Sequence, residues 1–418
     1  MSAAKNTVTA SAPSATARFP RLDSLDVFRG LTMFLMLFAN DMNDPDLGHV
    51  ANVPDWLRHM PGGRDGMTFV DVIFPAFLFG AGLSIPLALG RRVDAGDRAG
   101  AFRHVAWRSL WLVVIGLGMV NTYRFHPTAI PISPAWWEFL FFVAVIVVWQ
   151  SPPAAKDGPK PASRLWKILG AAALVVLAVI YRGSSGGEAT WMRTSWWGIL
   201  TIIGIAYFVV AGGYLLLRKS LAGLTGLLAL LIAVNIGDRN GALAVLDPLR
   251  GYFSAGGLFG GLPAIMAAGT IAGCLLFEAP PGATDSTRLR SLVSFGLALC
   301  FAGLLLYPPF GLSKPSDTPA WCLLCSAICC VLFAFLYWLV DLKRIGTWAG
   351  FVRPAGRHPL LTYFLPHLFY SLLAILGITW LEQNLNSGVP GILRSLVLAL
   401  GFLGVTALLV RKGVVLKL

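Results

Sequence analysis

The sequence has few charged residues. Only 13% of its 418 residues are Asp, Glu, Lys or Arg, whereas an ordinary globular chain carries about 25%. Hydrophobic residues make up 56% of the chain, and the mean hydropathy is +0.71. This apolar surface is too large for one aqueous core, which excludes a soluble globular domain. Because lipid leaves unpaired backbone groups without a partner, the composition predicts an all-α, polytopic integral membrane protein.

Several other patterns are missing. The chain has no heptad repeat, no longer internal repeat and no glycine motif for phosphate or dinucleotide binding. The six cysteines lie in apolar segments without a liganding histidine, so we expect packing roles and no metal site. The first twenty residues lack the apolar core of a signal peptide, which predicts a disordered tail over 1–20. Residues 21–418 then form a single transmembrane domain.

Twelve apolar segments have lengths that suit membrane-spanning helices. They lie near residues 25–40, 67–89, 105–123, 135–150, 166–181, 195–217, 220–236, 258–277, 291–310, 320–340, 358–378 and 391–410. The fourth and fifth segments also fit one re-entrant pair. Of the 33 Lys and Arg residues, 24 lie on one set of alternate loops and 9 on the other. The positive-inside rule therefore predicts cytoplasmic termini and attributes the net charge of +13 to membrane orientation, with no nucleic-acid partner.

A long polar insertion between the first two apolar segments contains candidate catalytic side chains. Asn40 ends the first segment, His59 lies between Trp56 and a Pro-Gly-Gly turn, and Asp71 begins the second segment. An imidazole can take a proton from an amine or a hydroxyl, or accept an acyl group itself. An amide such as that of Asn40 can orient the imidazole or donate to an oxyanion.

Alternatives remain open in this loop. His49 is the competing histidine, and a histidine in an outer loop is more often a plain surface residue. A carboxylate at the depth of Asp71 needs a partner, for which His59, Arg64 and Lys314 are candidates. Its depth favours a functional role, and a structural tie between helices is the alternative. Lys314 is also the only basic residue of its outer loop and can attract an anionic group of a substrate.

A second polar cluster lies at the predicted cytoplasmic ends of the helices. Asp26 and Arg29 stand three residues apart at the start of the first segment and can meet on one helix face. Arg357 and His358 begin the eleventh segment and belong to a basic collar with Lys343, Arg344 and Arg353. The collar fits either the positive charge of cytoplasmic loops or a site for the phosphates of a nucleotide-bearing cofactor.

Several stretches of the sequence resemble one family of membrane enzymes, in the same order over roughly 21–378. They are RLDSLDVFRGLTMFLMLFAN, LRH…GMTFVDVIFPAFLFGAGLSI, TSWWGILTIIGIAYF, GGLFGGLPAIMAAG, SKPSDTPAW…LYWLVDLK and AGRHPLLTYF. The family is that of the heparan-α-glucosaminide N-acetyltransferases and their bacterial relatives. The resemblance implies transfer of an acetyl group from acetyl-CoA, across a membrane, to the amino group of a terminal glucosamine.

The resemblance also assigns expected roles. The active-site histidine of the family matches His59, its essential asparagine matches Asn40, and the Asp of its Thr-x-x-Asp motif matches Asp71. The predicted site residues are, for catalysis, His59, Asn40 and Asp71; for the acceptor, Lys314, Thr68 and Trp56; and for acetyl-CoA, Asp26, Arg29, Arg357 and His358.

We therefore expect an acyltransferase that moves an acetyl group from cytoplasmic acetyl-CoA to an amino sugar or glycan at the outer face of a bacterial inner membrane. Direct transfer and an acyl-histidine intermediate are both open. The alternative function is a multi-pass transporter or permease for lipid-linked glycans, although the two halves lack the similarity common in transporters. Besides the lipid bilayer, a second copy of the chain is a partner that small-residue helix faces would allow.

Overall fold

The protein is described here by a computed structural model. It covers residues 22–44, 47–126, 128–151, 161–194, 196–218, 220–250, 252–280 and 282–417. The expected tail over 1–20 and most of the polar linker before residue 161 lie outside these residues.

Helices dominate the described residues, as the composition predicts. The α-helices are α1 Asp23–Asn43, α2 Ile73–Leu83, α3 Ile85–Asp94, α4 Arg98–Asn121, α5 Pro134–Trp149, α6 Pro161–Ile180, α7 Ile199–Leu217, α8 Leu221–Arg239, α9 Leu262–Phe277, α10 Asp285–Phe310, α11 Pro319–Leu336, α12 Arg353–Arg357, α13 Pro359–Leu376, α14 Trp380–Asn384 and α15 Gly388–Arg411. Short 3₁₀ turns cover Asp55–Leu57, Phe69–Val72, Thr122–Arg124, Ala244–Leu249 and Thr347–Phe351, and π-helical turns cover Gly257–Gly261 and Tyr337–Leu342. The strands β1 Gly183–Ser185 and β2 Glu188–Thr190 form one antiparallel hairpin.

Nine helical segments of the described residues are long and apolar enough to cross a membrane. Each of the twelve predicted segments coincides with a helix, and α1, α5 and α6 are the three that are not among these nine. A helical membrane protein is thereby confirmed, whereas twelve crossings and cytoplasmic termini stay predictions.

The outward faces of these helices are apolar. In α10, only 22% of the most apolar 18-residue stretch is buried, and the side chains of Leu297, Phe301 and Leu304 are each more than half exposed. Exposing such a surface to water would cost free energy, whereas contact with the equally apolar hydrocarbon chains of lipid would not. The exposed surface therefore fits contact with lipid.

Two glycines bring α2 and α9 into backbone contact at the centre of the bundle. A side-chain carbon on Gly82 would lie 2.0 Å from the carbonyl oxygen of Met266, and one on Gly269 would lie 2.1 Å from that of Phe79. Only glycine fits such an approach. The 3₁₀ turn that contains Asp71 leads directly into α2. The contact between α2 and α9 therefore fixes the position of the turn that carries Asp71.

Ion pairs to the C-terminal third of the chain hold both ends of α1. At its first turn, the Asp26 carboxylate accepts a hydrogen bond of 2.8 Å from Nε of Arg357. Asp26 thus has a partner 331 residues away along the chain, which its spacing to Arg29 does not predict. At the other end, buried Asp41 accepts a bond of 3.1 Å from buried Arg394. Both ends of helix α1 are therefore held in place by the C-terminal third of the chain.

Candidate active site

A cavity of about 1250 Å³ opens at the end of the bundle that carries the first polar loop. Its walls come from α1, from the polar loop, from the segments that precede α7 and α9, and from the loop between α10 and α11. The polar side chains that line it belong to Asn40, His59, Arg124, Arg193, Thr194, Arg250, Tyr252, Ser254, Lys314 and Asp317. Three predicted site residues, Asn40, His59 and Lys314, therefore share one cavity.

Asp71 lies beneath this cavity and is completely buried. Its Oδ1 lies 2.8 Å from Nδ1 of His59, and its Oδ2 accepts from the backbone N–H groups of Met60, at 3.1 Å, and Thr68, at 3.0 Å. The Thr68 hydroxyl lies 3.1 Å from the same Oδ2 and 2.7 Å from the carbonyl oxygen of Arg58. The predicted acceptor residue Thr68 thus holds Asp71 in place and is not among the residues that line the cavity.

The hydrogen bonds assign the tautomer of His59. A carboxylate can only accept, so Nδ1 of the ring donates its proton to Asp71. The lone pair is then on Nε2, which is the atom that a general base or an acyl carrier needs. Asp71 therefore acts on His59 as an orienting carboxylate, a role that recurs in triads with a histidine base.

Lys314 is the third member of this cluster. Its Nζ lies 3.0 Å from Nδ1 of His59, 3.4 Å from Nε2 and 3.8 Å from Oδ1 of Asp71. Because Nδ1 already donates to Asp71, the ammonium interacts with this nitrogen through charge, and its ion partner is the carboxylate. Burial lowers the pKa of Lys314, and the carboxylates of Asp71 and Asp317 oppose that shift.

The loop that carries Lys314 is anchored from two directions. On one side, Asp65 accepts from the N–H of Leu312 at 2.6 Å and from the hydroxyl of Tyr307 at 2.9 Å. On the other, the side-chain amide of Asn235 in α8 donates to the carbonyl oxygen of Asp317 at 3.0 Å. This double attachment explains how a residue 255 positions from His59 along the chain reaches the imidazole.

Asn40 lies on the cavity wall, as expected for an oxyanion donor. In the described part of the chain, its side-chain amide has no hydrogen-bond partner, and its carbonyl oxygen accepts from the N–H of Asp44. Its N–H groups are thus available to a substrate oxygen. Of the two roles that the sequence left open, this geometry favours oxyanion binding, because Asp71 already orients His59.

Two residues of the polar loop lie away from the cavity. Trp56, a predicted acceptor contact, is 60% exposed and packs edge-on against Phe69 at a centroid distance of 6.5 Å. His49, the competing histidine, is exposed and does not line the cavity. The structure therefore separates His49 from the Asp71 cluster, which His59 joins.

A second cavity, of about 480 Å³, lies towards the opposite end of the bundle. Its basic and imidazole side chains belong to Arg29, His104, Arg108, Arg357, His358 and Lys417. Three of these were predicted as acetyl-CoA contacts, whereas the fourth predicted contact, Asp26, holds Arg357 from outside the cavity wall. Met36 and Ile199 line both cavities, so the two spaces meet at these apolar side chains.

Sequence reasoning missed several polar residues of the two cavities. In the first, Arg193 and Arg250 come from segments between helices, and Asp317 is the only acidic residue of the Lys314 loop. In the second, Arg108 lies within α4 and Lys417 near the end of the chain. The available signal for Asp317 was that one loop contains a single Lys and a single Asp, whereas only the fold brings Lys417 to the second cavity.

The fold and the cavities define a helical integral membrane protein with a His–Asp–Lys cluster at one end of the bundle. The family described as "Domain of unknown function (DUF5009)" matches residues 21–244, which is more than half of the chain. The chain belongs to this family.

Two curated relatives are similar to a shorter part of the chain. The human protein named heparan-alpha-glucosaminide N-acetyltransferase is 33% identical over 103 residues, and the mouse protein of the same name is 31% identical over 102 residues. Each alignment covers 24% of this chain and 14% of the relative, so the chain matches about one-seventh of the length of these relatives. The similarity supports an acetyltransferase at the level of a related family.

Proposed function

We propose that this protein is a membrane acyltransferase that moves an acetyl group from acetyl-CoA to an amino sugar or a related glycan. The observation that carries the proposal is the contact of His59 with Asp71 and Lys314 beside a cavity that also contains Asn40. The names of the human and mouse relatives agree with this chemistry. In the proposed orientation, acetyl-CoA enters from the cytoplasm of a bacterium and the acceptor binds at the outer face of the inner membrane.

The second cavity suits the donor. Phosphate groups favour clustered guanidinium groups, and Arg29, Arg108 and Arg357 provide three in one cavity. Arg29 and Asn40 lie eleven residues apart on α1, which is about 17 Å along the helix axis. A long, thin pantetheine arm that passes Met36 and Ile199 would bring the thioester from the basic cavity to His59.

The first cavity suits a sugar acceptor. Trp196, Trp197 and Tyr252 supply flat aromatic faces, which bury the apolar side of a ring, and nearby polar groups can bind hydroxyls. At about 1250 Å³, the cavity is larger than most small-molecule sites, so it has room for the acceptor and the end of the donor together.

The proposed chemistry uses residues of the cluster in distinct roles. In direct transfer, Nε2 of His59 takes a proton from the acceptor while the acceptor nitrogen or oxygen forms a bond to the acetyl carbon. In the two-step route, Nε2 attacks first and the acetyl group then passes to the acceptor. In both routes the carbon–sulfur bond breaks and the CoA thiol leaves, while Asn40 donates to the oxyanion.

The test measures thiol release and acetylated product from purified protein with acetyl-CoA and glucosamine. We expect His59→Ala to lower the rate by at least about 10²-fold, because it removes the base or acyl carrier. His49→Ala is the matched control, since it removes an exposed histidine of the same loop. Full activity in His59→Ala would remove this residue from the mechanism. Absence of transfer by the wild-type protein, combined with solute uptake in liposomes, would favour the permease.

A further inference from the structure

A second carboxyl group, that of Asp317, lines the His59 cavity without a role in the cluster described above. Among the residues that the structure describes, no hydrogen-bond donor contacts its side chain. Its Oδ2 instead packs against backbone, because a side-chain carbon on Gly257 would lie 2.6 Å from it. This carboxyl group is therefore positioned by its surroundings while its hydrogen-bonding capacity is left for a ligand.

The loop does not need this carboxyl group for its shape. The main-chain groups of Asp317 make the loop contacts: its N–H donates to the carbonyl oxygen of Lys314 at 3.0 Å, and its carbonyl oxygen accepts from Asn235. The backbone of Asp317 has a φ of +51°, a left-handed conformation that Asn adopts as readily as Asp. A purely structural requirement at this position would thus be met by either residue.

The charged groups that face Asp317 are already engaged elsewhere. Lys314, on the same loop, lies 3.8 Å from Asp71, and Arg239 of α8 bonds the carbonyl oxygen of Ser316 and the side chain of Asn235. Both cations favour the carboxylate form, yet burial outweighs them and raises the pKa of Asp317 to about 7. The group therefore exchanges a proton near neutral pH.

We propose that Asp317 binds the ammonium group of an amine acceptor in the His59 cavity and takes up its proton. This proposal rests on the proposed function and adds the residue that recognises the amino group of the acceptor and takes its proton. A carboxylate that is partly buried and unpaired gains a charge-assisted hydrogen bond from an ammonium, whereas a hydroxyl offers only a neutral donor.

The proton balance of the step is complete. The acceptor R–NH₃⁺ transfers one proton to the Asp317 carboxylate, which becomes a neutral carboxylic acid. The resulting R–NH₂ uses its lone pair to form the bond to the acetyl carbon, from which the CoA sulfur or Nε2 of His59 departs. Nε2 or the departing thiolate takes the second proton from nitrogen, and Asp317 returns its own to solvent in the open cavity.

The experiment compares Asp317→Asn with the wild-type protein in two measurements. The first is calorimetric binding of glucosamine and of glucose at pH 7.5 without acetyl-CoA. The second is kcat/KM for glucosamine acetylation between pH 5.5 and pH 9. Asp55→Asn is the matched control, because Asp55 is an exposed carboxylate of the polar loop that does not line the cavity.

We expect the wild-type protein and Asp55→Asn to bind glucosamine at least about tenfold more tightly than glucose, since a charge-assisted hydrogen bond exceeds a neutral one by that margin. Asp317→Asn should lose this preference and lower kcat/KM about 10²-fold at pH 7, with a smaller loss at pH 9, where the acceptor is already a free amine. Acetyl-CoA affinity should be unchanged.

Equal preference for glucosamine in Asp317→Asn, or a loss of kcat/KM at pH 9 as large as the loss at pH 7, would overturn the proposal. The binding measurement needs no acyl transfer. An amine preference that depends on Asp317 in a protein without transferase activity would therefore refute the proposed function and retain this inference.

Discussion

The replacement of Asp71 by Asn is the sharpest test of the His59 cluster. The asparagine has the shape of the aspartate, so the side chain stays in its buried site. Its single oxygen must face the two backbone N–H groups of Met60 and Thr68, which Oδ2 of Asp71 accepts in the wild-type protein. The amide nitrogen then takes the place of Oδ1, 2.8 Å from Nδ1 of His59.

This arrangement forces a change of tautomer. An amide N–H and an imidazole N–H cannot both donate along one contact, so Nδ1 of His59 must become an acceptor and Nε2 must carry the proton. The lone pair of Nε2 is then lost to the reaction. In Ser–His–Asp hydrolases the corresponding change lowers kcat about 10⁴-fold, and here we expect a loss between about 10² and 10⁴-fold.

The cost to folding should be smaller than the cost to activity. The exchange removes one charge-assisted hydrogen bond and also the ion partner of Lys314. We expect the free energy of unfolding to fall by about 1.5–3 kcal/mol, the value of such a hydrogen bond. The assay is stopped-flow or steady-state thiol release in detergent, with thermal unfolding followed in the same samples. The double variant His59→Ala/Asp71→Asn is the control, because Asp71 should contribute nothing to rate once the ring is absent. A folded Asp71→Asn protein with a rate within about threefold of wild type would refute the assigned tautomer.

Three further predictions follow from the cavities. Met36→Trp should fill the place where the two cavities meet and lower the rate of acetyl transfer at least about tenfold, with acetyl-CoA binding retained. Met36→Leu has a similar volume and should be active. A normal transfer rate in Met36→Trp would exclude the route of the pantetheine arm past this residue. Arg29→Met should raise KM for acetyl-CoA about tenfold, or about 1.4 kcal/mol, and leave KM for a short thioester without a nucleotide unchanged; an equal effect on both donors would contradict phosphate binding. Asp317→Asn should stabilise the protein more at pH 8 than at pH 5 in thermal unfolding. The raised pKa of Asp317 means that the folded wild-type protein loses stability as the pH rises from about 4 to about 7, and the asparagine removes this loss. A difference in stability that does not change with pH would contradict the shift.

Lipid makes the helices of this protein predictable. An apolar run in a bilayer must pair its own backbone groups, and each of the twelve apolar segments is accordingly a helix. The His59–Asp71 contact was also accessible, because both residues lie in one loop and its return into α2. Contacts between residues far apart in the sequence could not be predicted in this way.

The partners of buried charges illustrate that limit. Asp26 binds Arg357, 331 residues away, and its spacing to Arg29 does not predict this partner. Arg394 lies in an apolar run and would be costly there alone, but nothing local identifies Asp41 as its partner. Asp317 faces the cavity because α8 holds the backbone of its loop. Each contact depends on how helices pack, which hydrophobicity alone does not encode.

The meeting point of the cavities also matters for the membrane as an electrical insulator. In the proposed orientation, two recesses that reach towards each other across a bilayer would thin the barrier to protons and small ions. In the part of the chain that the structure describes, the side chains common to both recesses are those of Met36 and Ile199, and neither can carry a proton or supply an oxygen ligand to an ion. A constriction lined by such groups excludes water while a flexible thioether can still move aside. In the proposed function, this constriction would let an acetyl group pass from one recess to the other while the barrier to ions is kept.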